Sequence, residues 1–411
     1  MLAVDLFAGA GGLSEGFIRA GFDVVAYIEA DSNACETLRT RHQYWQLRRE
    51  GLLQEYWKYL NSEVTKDEFR KIMKESDPVI GVYLSSETIS SVITEIKRLL
   101  HKKGKTSLDL FIGGPPCQAY SIVGRSRNRE KMSNDPRKLL YKHYIELLKV
   151  FRPSIFVFEN VPGLLTVDSG CFYKKMLDDF RSVGYTIDSE PHVLDSFDFG
   201  VLQHRKRIMM IGWQKSMSLS YPVFENRLCE YRVLEVFSDL PHLKPGYSSA
   251  DDYLSNPSSY LVDMRIREPE DRLTQHDTRA LREIDREIYR YVIAVWNKEK
   301  RRVRYSELPE HLRTHKNLKS FEDRFKVVAS DLNYAQSLVA HLAKDGHYFI
   351  HPSLEQARSI SVREAARLQS FPDSYFFEGG GLQRYKQIGN AVPPLMAEKI
   401  AEKIKEMLKA Q

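Results

Sequence analysis

The sequence predicts an α/β fold with a mostly parallel, doubly wound sheet and a second, smaller domain. Three observations support this prediction. Short apolar segments alternate with amphipathic segments from residue 1 to about residue 213, as strands and helices do in βαβ units. Two apolar segments end in the glycine-rich turns "GAGG" and "GGPP", where ligands of parallel sheets commonly bind. The alternation stops near residue 214, where a separate domain is expected to begin.

The composition is that of a globular protein with more than one domain. A chain of 411 residues is longer than a single hydrophobic core usually supports, and its 42% hydrophobic content argues against disorder. The net charge of +6 favours polyanionic partners only weakly. No apolar run is long enough to span a bilayer and the N-terminus lacks the basic region of a signal peptide, so we expect a cytoplasmic protein without membrane association.

The cysteines argue for a reduced protein. None is paired in a short spacing, which speaks against a disulfide framework and against a zinc site, and no other cluster of ligand residues indicates a metal. The four positions are Cys35, Cys117, Cys171 and Cys229.

The predicted elements of the first domain follow in βα order. The strand "LAVDLF", the helix "GLSEGFIRAG" and the strand "FDVVAYIEAD" come first, and Ser32 is a candidate cap for the next helix. Residues 43–78 form an insertion that we expect to hold one or two amphipathic helices. The strand "VIGVYL", a helix over residues 88–102 and the strand "LDLFI" continue the alternation. The helix "KLLYKHYIELLKVF", the strand "SIFVFEN", a helix near 172–183 and the pair "YTIDSEPHVLD" and "KRIMMIGW" complete the sheet.

The chain is expected to leave the first domain once and to return to it. Residues 1–213 form the first part of that domain. Residues 214–355 carry Pro and Ser clusters and charged helices without strand–helix alternation, which predicts a separate domain. Residues 356–411 are expected to return to the first domain, and within them Ser361 and Glu364 form a capping box that starts a helix.

The stretch "DLFAGAGG", residues 5–12, is a glycine-rich turn whose backbone N–H groups can approach a nucleotide-like ligand. It lacks the full G-x-G-x-x-G spacing because Ser14 stands at the third glycine position, and such a turn can also be purely structural. Glu29, at the end of the second strand, can accept hydrogen bonds from both hydroxyls of a ribose, with Asp31 as the competing carboxylate. No P-loop lysine is present, so a nucleoside without a phosphate chain, such as S-adenosylmethionine, fits better than a triphosphate.

The stretch "GGPPCQAYS", residues 113–121, follows directly on an apolar strand. Glycine permits a tight turn or a close approach, and proline fixes φ and removes an N–H donor, so together they end the strand in a stiff turn. Cys117 follows this turn. A core cysteine does not need such a scaffold, whereas a nucleophile does, and Cys117 is therefore the candidate nucleophile.

The segments "FENV" and "QHRKR" supply further candidates. Glu159 ends a very apolar strand beside Asn160, where a carboxylate is costly unless it is paired or takes part in chemistry. The alternative is a satisfied buried acid with a structural role. Arg205 and Arg207 alternate at the start of a strand, so both side chains are expected on one side, where they could orient a carboxylate or a base carbonyl.

These residues resemble the DNA (cytosine-5)-methyltransferases of bacterial restriction–modification systems. The resemblance covers nearly the whole chain, and seven motifs occur in the family's order. They are "DLFAGAGG", "YIEAD", "GGPPCQAYS", "FENV", "QHRKR", "SVREAARLQSFPD" and "QIGNAVPP". The resemblance implies a class I S-adenosylmethionine-dependent methyltransferase fold, Rossmann-like, in which residues 214–355 are the target-recognition domain.

The resemblance also implies the reaction, in which a methyl group is transferred to C5 of a cytosine flipped out of DNA. Cys117 would add to C6 and form a covalent adduct, because C5 is a poor nucleophile until a thiolate adds. Glu159 would hold the ring at N3 and the exocyclic amine, and Arg205 would hold the O2 carbonyl. The remaining residues assigned to the catalytic group are Gln118, Asn160 and Arg207.

S-adenosyl-L-methionine is the implied cofactor and S-adenosyl-L-homocysteine the implied product. The residues expected at the cofactor pocket are Phe7, Ala8, Gly9, Gly11, Gly12, Leu13, Glu29, Ala30, Pro115, Asn390 and Ala391. The family usually has a Gly-Asp dipeptide after the third strand, whose Asp binds the adenine amine. This chain has "YLSSETIS" instead, so Ser86 or Glu87 is the candidate replacement.

Basic residues beside the nucleophile and within residues 214–355 are expected to contact DNA. The segment after Cys117 is interpreted as a loop that closes over phosphates, although a solvated charged loop is the alternative. The candidate DNA contacts are Ser121, Arg125, Arg127, Arg129, Arg302, Arg304, Lys316, Lys319 and Arg324. In related recognition domains a Thr and an aliphatic residue precede "VAH", and this chain has Ser337 and Leu338 there.

Two other functions are weighed against a sequence-specific DNA methyltransferase. A branch of the family methylates tRNA, but the long recognition region argues against an RNA substrate. A catalytically inactive DNA-binding relative would not need Cys117, Glu159, Arg205 and Asn390 together. We therefore expect an enzyme that acts as a monomer on double-stranded DNA, is associated with the nucleoid through that DNA, and has a cognate restriction endonuclease as its genetic partner.

Overall fold

The structure, a computed structural model, describes residues 1–72, 76–116, 140–225, 230–249, 252–315 and 322–410. The chain divides into two compact units. The first comprises Met1–Phe199, Arg205–Arg227 and Ala391–Gln411, and the second comprises Gly200–His204 and Leu228–Asn390.

The first unit is built on one eight-stranded sheet. Its strands are β1 (Leu2–Leu6), β2 (Asp23–Glu29), β3 (Val79–Gly81), β4 (Leu110–Gly113), β5 (Ile155–Asn160), β6 (Tyr185–Ile187), β7 (Val193–Asp195) and β8 (Lys206–Gln214). The order is β3-β2-β1-β4-β5-β8-β6, and β7 also pairs with β8. Strands β1 to β5 are mutually parallel, whereas β8 is antiparallel to β5, β6 and β7. The predicted mostly parallel α/β sheet is confirmed.

Eight helices of the first unit are described. They are α1 (Gly12–Arg19), α2 (Ser32–Glu50), α3 (Leu53–Leu60), α4 (Lys66–Lys71), α5 (Ile89–Lys102), α6 (Leu140–Phe151), α7 (Cys171–Ser182) and, near the C-terminus, α12 (Pro394–Lys409). The expected insertion over residues 43–78 thus holds the second half of α2 together with α3 and α4.

The predicted cap of α2 was wrong by one residue. The helix starts at Ser32, and Asp31 is the cap, with its Oδ1 accepting from the backbone N–H groups of Asn33 at 3.0 Å and Ala34 at 3.2 Å. Asp31 has extended backbone angles and therefore stands outside the helix, where a short acidic side chain can reach the unpaired N–H groups of the first turn.

An aromatic cluster fixes strand β5 in the sheet. The Phe156 ring stacks on Phe180 of α7 with ring centroids 4.7 Å apart, and Tyr144 of α6 packs edge-on against Phe158 at 5.3 Å. All four side chains are buried. Rings of this size bury a large apolar area, so the cluster holds β5 firmly at the position where the candidate Glu159 follows.

The last helix returns to the first unit. Helix α12 packs along α1, and Arg19 of α1 forms a buried ion pair with Glu398 of α12 at 3.0 Å. Lys405 Nζ also donates to the Ala20 carbonyl oxygen at 2.7 Å. The segment from Ala391 onward is therefore part of the sheet unit.

The second unit extends beyond the expected range of 214–355, because buried ion pairs hold residues 356–390 within it. The Arg367 guanidinium bonds to Asp239 at 2.5 Å and to Asp373 at 2.6 Å, and all three side chains are fully buried. Arg358 forms a bidentate pair with Glu364 at 2.7 Å.

Four α-helices of the second unit are described. They are α8 (Ser259–Asp263), α9 (Glu283–Glu299), α10 (Val362–Leu368) and α11 (Gly381–Asn390). The apolar face of α9, including Ile288, Val292 and Trp296, packs against Tyr305 and Phe325. The capping box predicted at the start of α10 is confirmed by hydrogen bonds between Ser361 and Glu364 in both directions.

The turn after β4 gives the first testable prediction. A Cβ atom on Gly114 would lie 1.8 Å from the Glu159 carbonyl oxygen, so Gly114→Ala should lower the free energy of unfolding by about 3 kcal/mol or more. Gly381→Ala is the matched control, because a Cβ there meets no atom within 4 Å. Urea denaturation of both variants measures the difference, and equal stability would contradict the close contact of β4 with β5.

Candidate active site

The glycine-rich turn after β1 has an unusual backbone. Phe7, Gly9 and Gly11 all have left-handed conformations, with φ of 60°, 55° and 77°. The backbone of Phe7 is strained in this conformation, since a residue with a Cβ rarely adopts it. The turn leads directly into α1 at the carboxyl end of β1, so its N–H groups and the start of the helix face the same edge of the sheet.

Glu29 joins this turn to the end of β2. Its Oε2 accepts from the Gly9 N–H at 2.7 Å, and its Oε1 accepts from the N–H groups of Ala30 at 2.8 Å and Asp31 at 2.7 Å. The carboxylate is therefore held in one orientation. A carboxylate oxygen has two lone pairs, so Oε2 can accept a further hydrogen bond from a ligand hydroxyl.

Asp5 is a residue of this site that the sequence analysis quoted but assigned no role. It lies on β1 directly below the turn, is fully buried, and neither carboxyl oxygen has a hydrogen-bond donor in good geometry within the described part of the chain. Burial raises the pKa of Asp5 to about 8, although nearby Ser14 lowers it in part. The signal was available, because an acidic residue inside the apolar strand "LAVDLF" is as anomalous as Glu159 is in its strand.

Asn160 links the ends of β4 and β5. Its Nδ2 donates to the Pro115 carbonyl oxygen at 3.2 Å, and its Oδ1 accepts from the Val161 N–H at 2.9 Å. The side chain is almost completely buried. Together with the contact of Gly114 against the Glu159 backbone, this fixes the Pro115 turn to the end of β5.

Glu159 is paired with Arg207 across the sheet. In the antiparallel register Glu159 lies opposite Met209, and the Arg207 Nε reaches its Oε1 at 2.6 Å. The Glu159 side chain is 17% exposed, so the carboxylate is paired and still accessible from outside. A short contact of this kind holds the carboxyl group in one orientation, which suits a group that must bind a polar substrate edge.

Arg205 lies just before β8 and not within it. Its backbone N–H donates to Asp195 Oδ1 at 2.9 Å, and its carbonyl oxygen accepts from the Ser196 N–H at 3.1 Å. The side chain is buried, in contrast to the accessible Glu159–Arg207 pair. The two arginines thus have different environments although the sequence places them two residues apart.

Eight of the predicted site residues lie outside the described residues. They are Cys117, Gln118, Ser121, Arg125, Arg127, Arg129, Lys316 and Lys319. The first six lie between Pro116 and Leu140, and the last two lie between His315 and Glu322.

The other candidate DNA contacts differ in exposure. Arg302 and Arg304 are exposed on either side of the buried Val303, so both guanidinium groups are on the outside of the second unit. The Arg324 side chain is 19% exposed and lies 3.8 Å from the Asp345 carboxylate, which makes it a partly buried member of the fold.

The last two cofactor candidates are consecutive residues at the point in the sequence where the second unit ends and the first unit resumes. Asn390 ends α11 and is the final residue of the second unit, and Ala391 starts the final segment of the first unit. After β3, Ser85 Oγ donates to Glu87 Oε2 at 3.2 Å in an exposed turn, which is where the missing Asp was expected.

The fold and the site define a class I S-adenosylmethionine-dependent methyltransferase. The defining features are the strand order, the turns at the carboxyl ends of β1, β2 and β4, and the ordered Glu29. Comparison with known proteins identifies the family. The profile of the C-5 cytosine-specific DNA methylases matches residues 1–54 and 72–406, and the chain belongs to this family. It is a DNA methyltransferase that modifies C5 of cytosine, and catalysis in this family depends on S-adenosylmethionine.

The chain is similar to curated proteins over its full length. The Type II methyltransferase M.Bpa9945I of Bacillus paralicheniformis is 40% identical, with 99% of each chain covered. The Type II methyltransferase M.XorII of Xanthomonas oryzae is 29% identical, with 99% of this chain and 85% of that protein covered. A solved structure of a putative DNA modification methyltransferase encoded within a prophage in E. coli superimposes with a TM-score of 0.67 at 22% identity, covering 100% of this chain and 99% of that one, which supports the fold.

The family profile leaves out residues 55–71, which comprise most of α3, the connection after it and α4. None of the described helices has both the length and the apolar character that crossing a bilayer requires.

The buried Asp5 predicts a pH dependence of stability without cofactor. The folded protein keeps the Asp5 proton up to about pH 8, whereas the unfolded chain loses it near 3.8, so folding takes up a proton between these values. The contribution of Asp5 to stability is therefore greatest below the lower value and falls as the pH rises between the two, by up to about 1.4 kcal/mol per pH unit.

Asp5→Asn should remove this decline and unfold at a higher temperature than the wild type at pH 8, with the exposed Asp67→Asn as control. Thermal denaturation between about pH 5 and pH 8, within the interval between the two pKa values, measures the effect. Parallel curves for wild type and Asp5→Asn would show that Asp5 is ionised in the folded protein.

Proposed function

We propose that the carboxyl edge of the sheet in the first unit is the active site for sequence-specific methylation of double-stranded DNA. The observation that carries this proposal is the Glu159–Arg207 pair, held at the end of β5 beside the Asn160–Pro115 contact. The turn that Asn160 fixes leads to Cys117 two residues later. Glu159 and the turn that leads to Cys117 are thereby tied to neighbouring strand ends.

Glu159 and Arg207 act on the flipped cytosine. An oriented carboxylate can accept a hydrogen bond from the exocyclic amine and, when it takes up or shares a proton, can bind N3. Arg207 keeps that carboxylate in place through its 2.6 Å contact. Arg205, whose backbone is fixed by Asp195 and Ser196, is the proposed donor to the O2 carbonyl of the ring.

Cys117 supplies the covalent step. Its thiolate forms a bond to C6, and the electron pair of the C5–C6 double bond moves to C5, which takes up the methyl group. Loss of the C5 proton to a base restores the double bond, the C6–S bond breaks, and the thiolate is released. Stabilisation of charge on the ring by Glu159 lowers the barrier to the first addition.

The residues of the β1 and β2 turns hold the cofactor. S-adenosylmethionine supplies the methyl group on a sulfonium centre. Glu29 accepts from a ribose hydroxyl through its remaining lone pair, and the open, left-handed turn around Gly9 leaves backbone room for the ligand, since a Cβ at Gly9 would meet no atom within 4 Å. The buried Asp5 gives the site a negative charge once it ionises, which suits a cationic ligand. Asn390 and Ala391 are the proposed contacts from the C-terminal motif.

The second unit, with its own core, is the proposed target-recognition domain. Its exposed Arg302 and Arg304 are suited to phosphate contacts, which give affinity and register on the duplex without reading sequence. The relatives named as Type II methyltransferases support a cognate restriction endonuclease as the genetic partner. We propose that the protein acts on DNA as a monomer.

Bisulfite sequencing tests this function directly. Plasmid DNA incubated with the purified protein and S-adenosylmethionine should keep unconverted cytosines in one short sequence context. Cys117→Ala should leave every cytosine convertible while still binding DNA in a gel-shift assay. Duplexes carrying 5-fluorocytosine in the identified context should become covalently attached to the wild type only, because fluorine at C5 blocks the release step. Uniform conversion by the wild type would contradict a DNA substrate.

The Glu159–Arg207 pair gives a sharper prediction. Arg207→Met removes the cation that holds the carboxylate, and kcat should fall roughly 10- to 100-fold, equivalent to about 1.4–2.8 kcal/mol of transition-state stabilisation. Lys206→Met is the matched control, because Lys206 is the exposed neighbour on the same strand. Single-turnover methyl transfer measures both. A similar loss in the two variants would mean that charge near β8, and not the contact with Glu159, sets the rate.

A further inference from the structure

A fully buried glutamine of the motif "QHRKR" connects three segments of the second unit. Gln203 Oε1 accepts from the Leu338 N–H at 2.5 Å, and Gln203 Nε2 donates to the Leu368 carbonyl oxygen at 3.1 Å and to Gln369 Oε1 at 3.0 Å. The side chain has no exposed surface. Each amide atom therefore has a specific partner from a different part of the chain.

Gln369 extends this connection to a fourth segment. It is also fully buried, and its Nε2 donates to the Ile388 carbonyl oxygen near the end of α11 at 2.8 Å. The two side-chain amides thus form a continuous relay from Leu338 through Gln203 and Gln369 to Ile388. We call these two glutamines the amide relay.

Backbone contacts align the first two segments beside the relay. Gln203 forms a parallel bridge with Ala335, whose N–H donates to the Leu202 carbonyl oxygen at 2.9 Å. Ser337 Oγ donates to the His204 carbonyl oxygen. Residues 335–338 therefore run alongside residues 202–204 with little freedom to shift. They include Ser337 and Leu338, the two residues that precede "VAH".

Gln203 and Ile388 are each close along the chain to a residue of the proposed active site. Arg205, the proposed donor to the cytosine ring, comes two residues after Gln203. Asn390, a proposed cofactor contact, comes two residues after Ile388. A connection of two residues spans at most about 7 Å, so the backbone position at Gln203 or Ile388 restricts where the residue two positions later can lie.

We propose that Gln203 is a positioning residue for methyl transfer, which through Gln369 fixes the segment leading to Arg205 in register with the segment leading to Asn390. This inference rests on the proposed roles of those two residues. Substrate and cofactor must be held within a few tenths of an ångström for a transfer reaction to be fast, and a fixed relation between the two segments serves that requirement.

The chemistry of the relay requires an amide at residue 203. The side chain accepts from Leu338 and donates to Leu368 and Gln369, and an amide has both an acceptor oxygen and an NH₂ group for these contacts. A carboxylate can accept from Leu338 but faces the Leu368 and Gln369 oxygens without a proton. A protonated carboxyl group can donate to one of them and restores part of the relay.

The difference between a protonated and an ionised carboxyl group provides the test. Gln203→Glu is the main variant. A carboxyl group in a fully buried site has a raised pKa, so the variant should be protonated at low pH and ionised at high pH. We expect its kcat, relative to wild type at the same pH, to be within about threefold near pH 6 and to fall at least about tenfold below it near pH 8.5. Affinity for S-adenosylmethionine and for DNA should change much less than kcat.

Two further variants separate positioning from stability. Gln336→Glu is the matched control, because Gln336 is half-buried in the same segment and has one described hydrogen bond, to the Tyr348 carbonyl oxygen. Its activity relative to wild type should not depend on pH. Gln203→Met fills a similar volume without hydrogen bonds and should lose kcat equally at every pH.

The outcomes distinguish this inference from the proposed function. Thermal denaturation at each pH identifies the conditions under which every variant is folded. If the wild type methylates DNA and folded Gln203→Glu shows a constant activity ratio across pH, or folded Gln203→Met retains wild-type kcat, the positioning role is overturned while the function stands. If the wild type fails to methylate DNA under every condition, the proposed function fails first.

Discussion

The structure of the site depends on the contact between the carboxyl ends of β4 and β5. Gly113 and Gly114 allow the backbone after β4 to lie directly against Leu6 on one side and Glu159 on the other, where no side chain would fit. Asn160 then fixes the Pro115 turn with a buried hydrogen bond. Because the strands are parallel and adjacent, the acid of β5 and the turn that leads to Cys117 are forced to the same edge of the sheet.

Buried carboxyl groups of this protein differ in whether a cation balances them. In the second unit the Arg358 guanidinium satisfies Glu364 and holds the pKa of that carboxyl below its usual range, while burial lowers the pKa of the neighbouring His351 to about 3 and keeps its ring neutral. Within the part of the chain that the structure describes, Asp5 of the first unit has no cationic hydrogen-bond partner, and burial raises its pKa. A buried carboxyl paired with a cation, such as Glu364, helps to specify the fold. A buried carboxyl such as Asp5, which lies next to the glycine-rich turn, lowers the free energy of unfolding and is suited to a cationic ligand.

Buried polar side chains fix the relations between several distant parts of the chain. Arg367 joins residues 239 and 373, and Gln203 joins residues 338 and 369. Hydrogen bonds have defined directions and lengths, so a buried polar group specifies the register of its partners where an apolar contact would tolerate sliding. The motifs "QHRKR" and "SVREAARLQSF" therefore carry packing information in addition to any contact with substrate.

The sequence by itself determined the sheet, the order of its elements and most candidate site residues, because strand and helix periodicity, glycine-rich turns and acids in apolar strands are local signals. It identified Glu29 and Glu159 in this way, and it contained the same signal for Asp5. Only the tertiary structure decided that Arg207 pairs with Glu159, that Asn160 bonds to Pro115, and that residues 356–390 pack with the second unit. These relations join residues far apart in the chain through strand register and buried polar contacts, which no local pattern encodes.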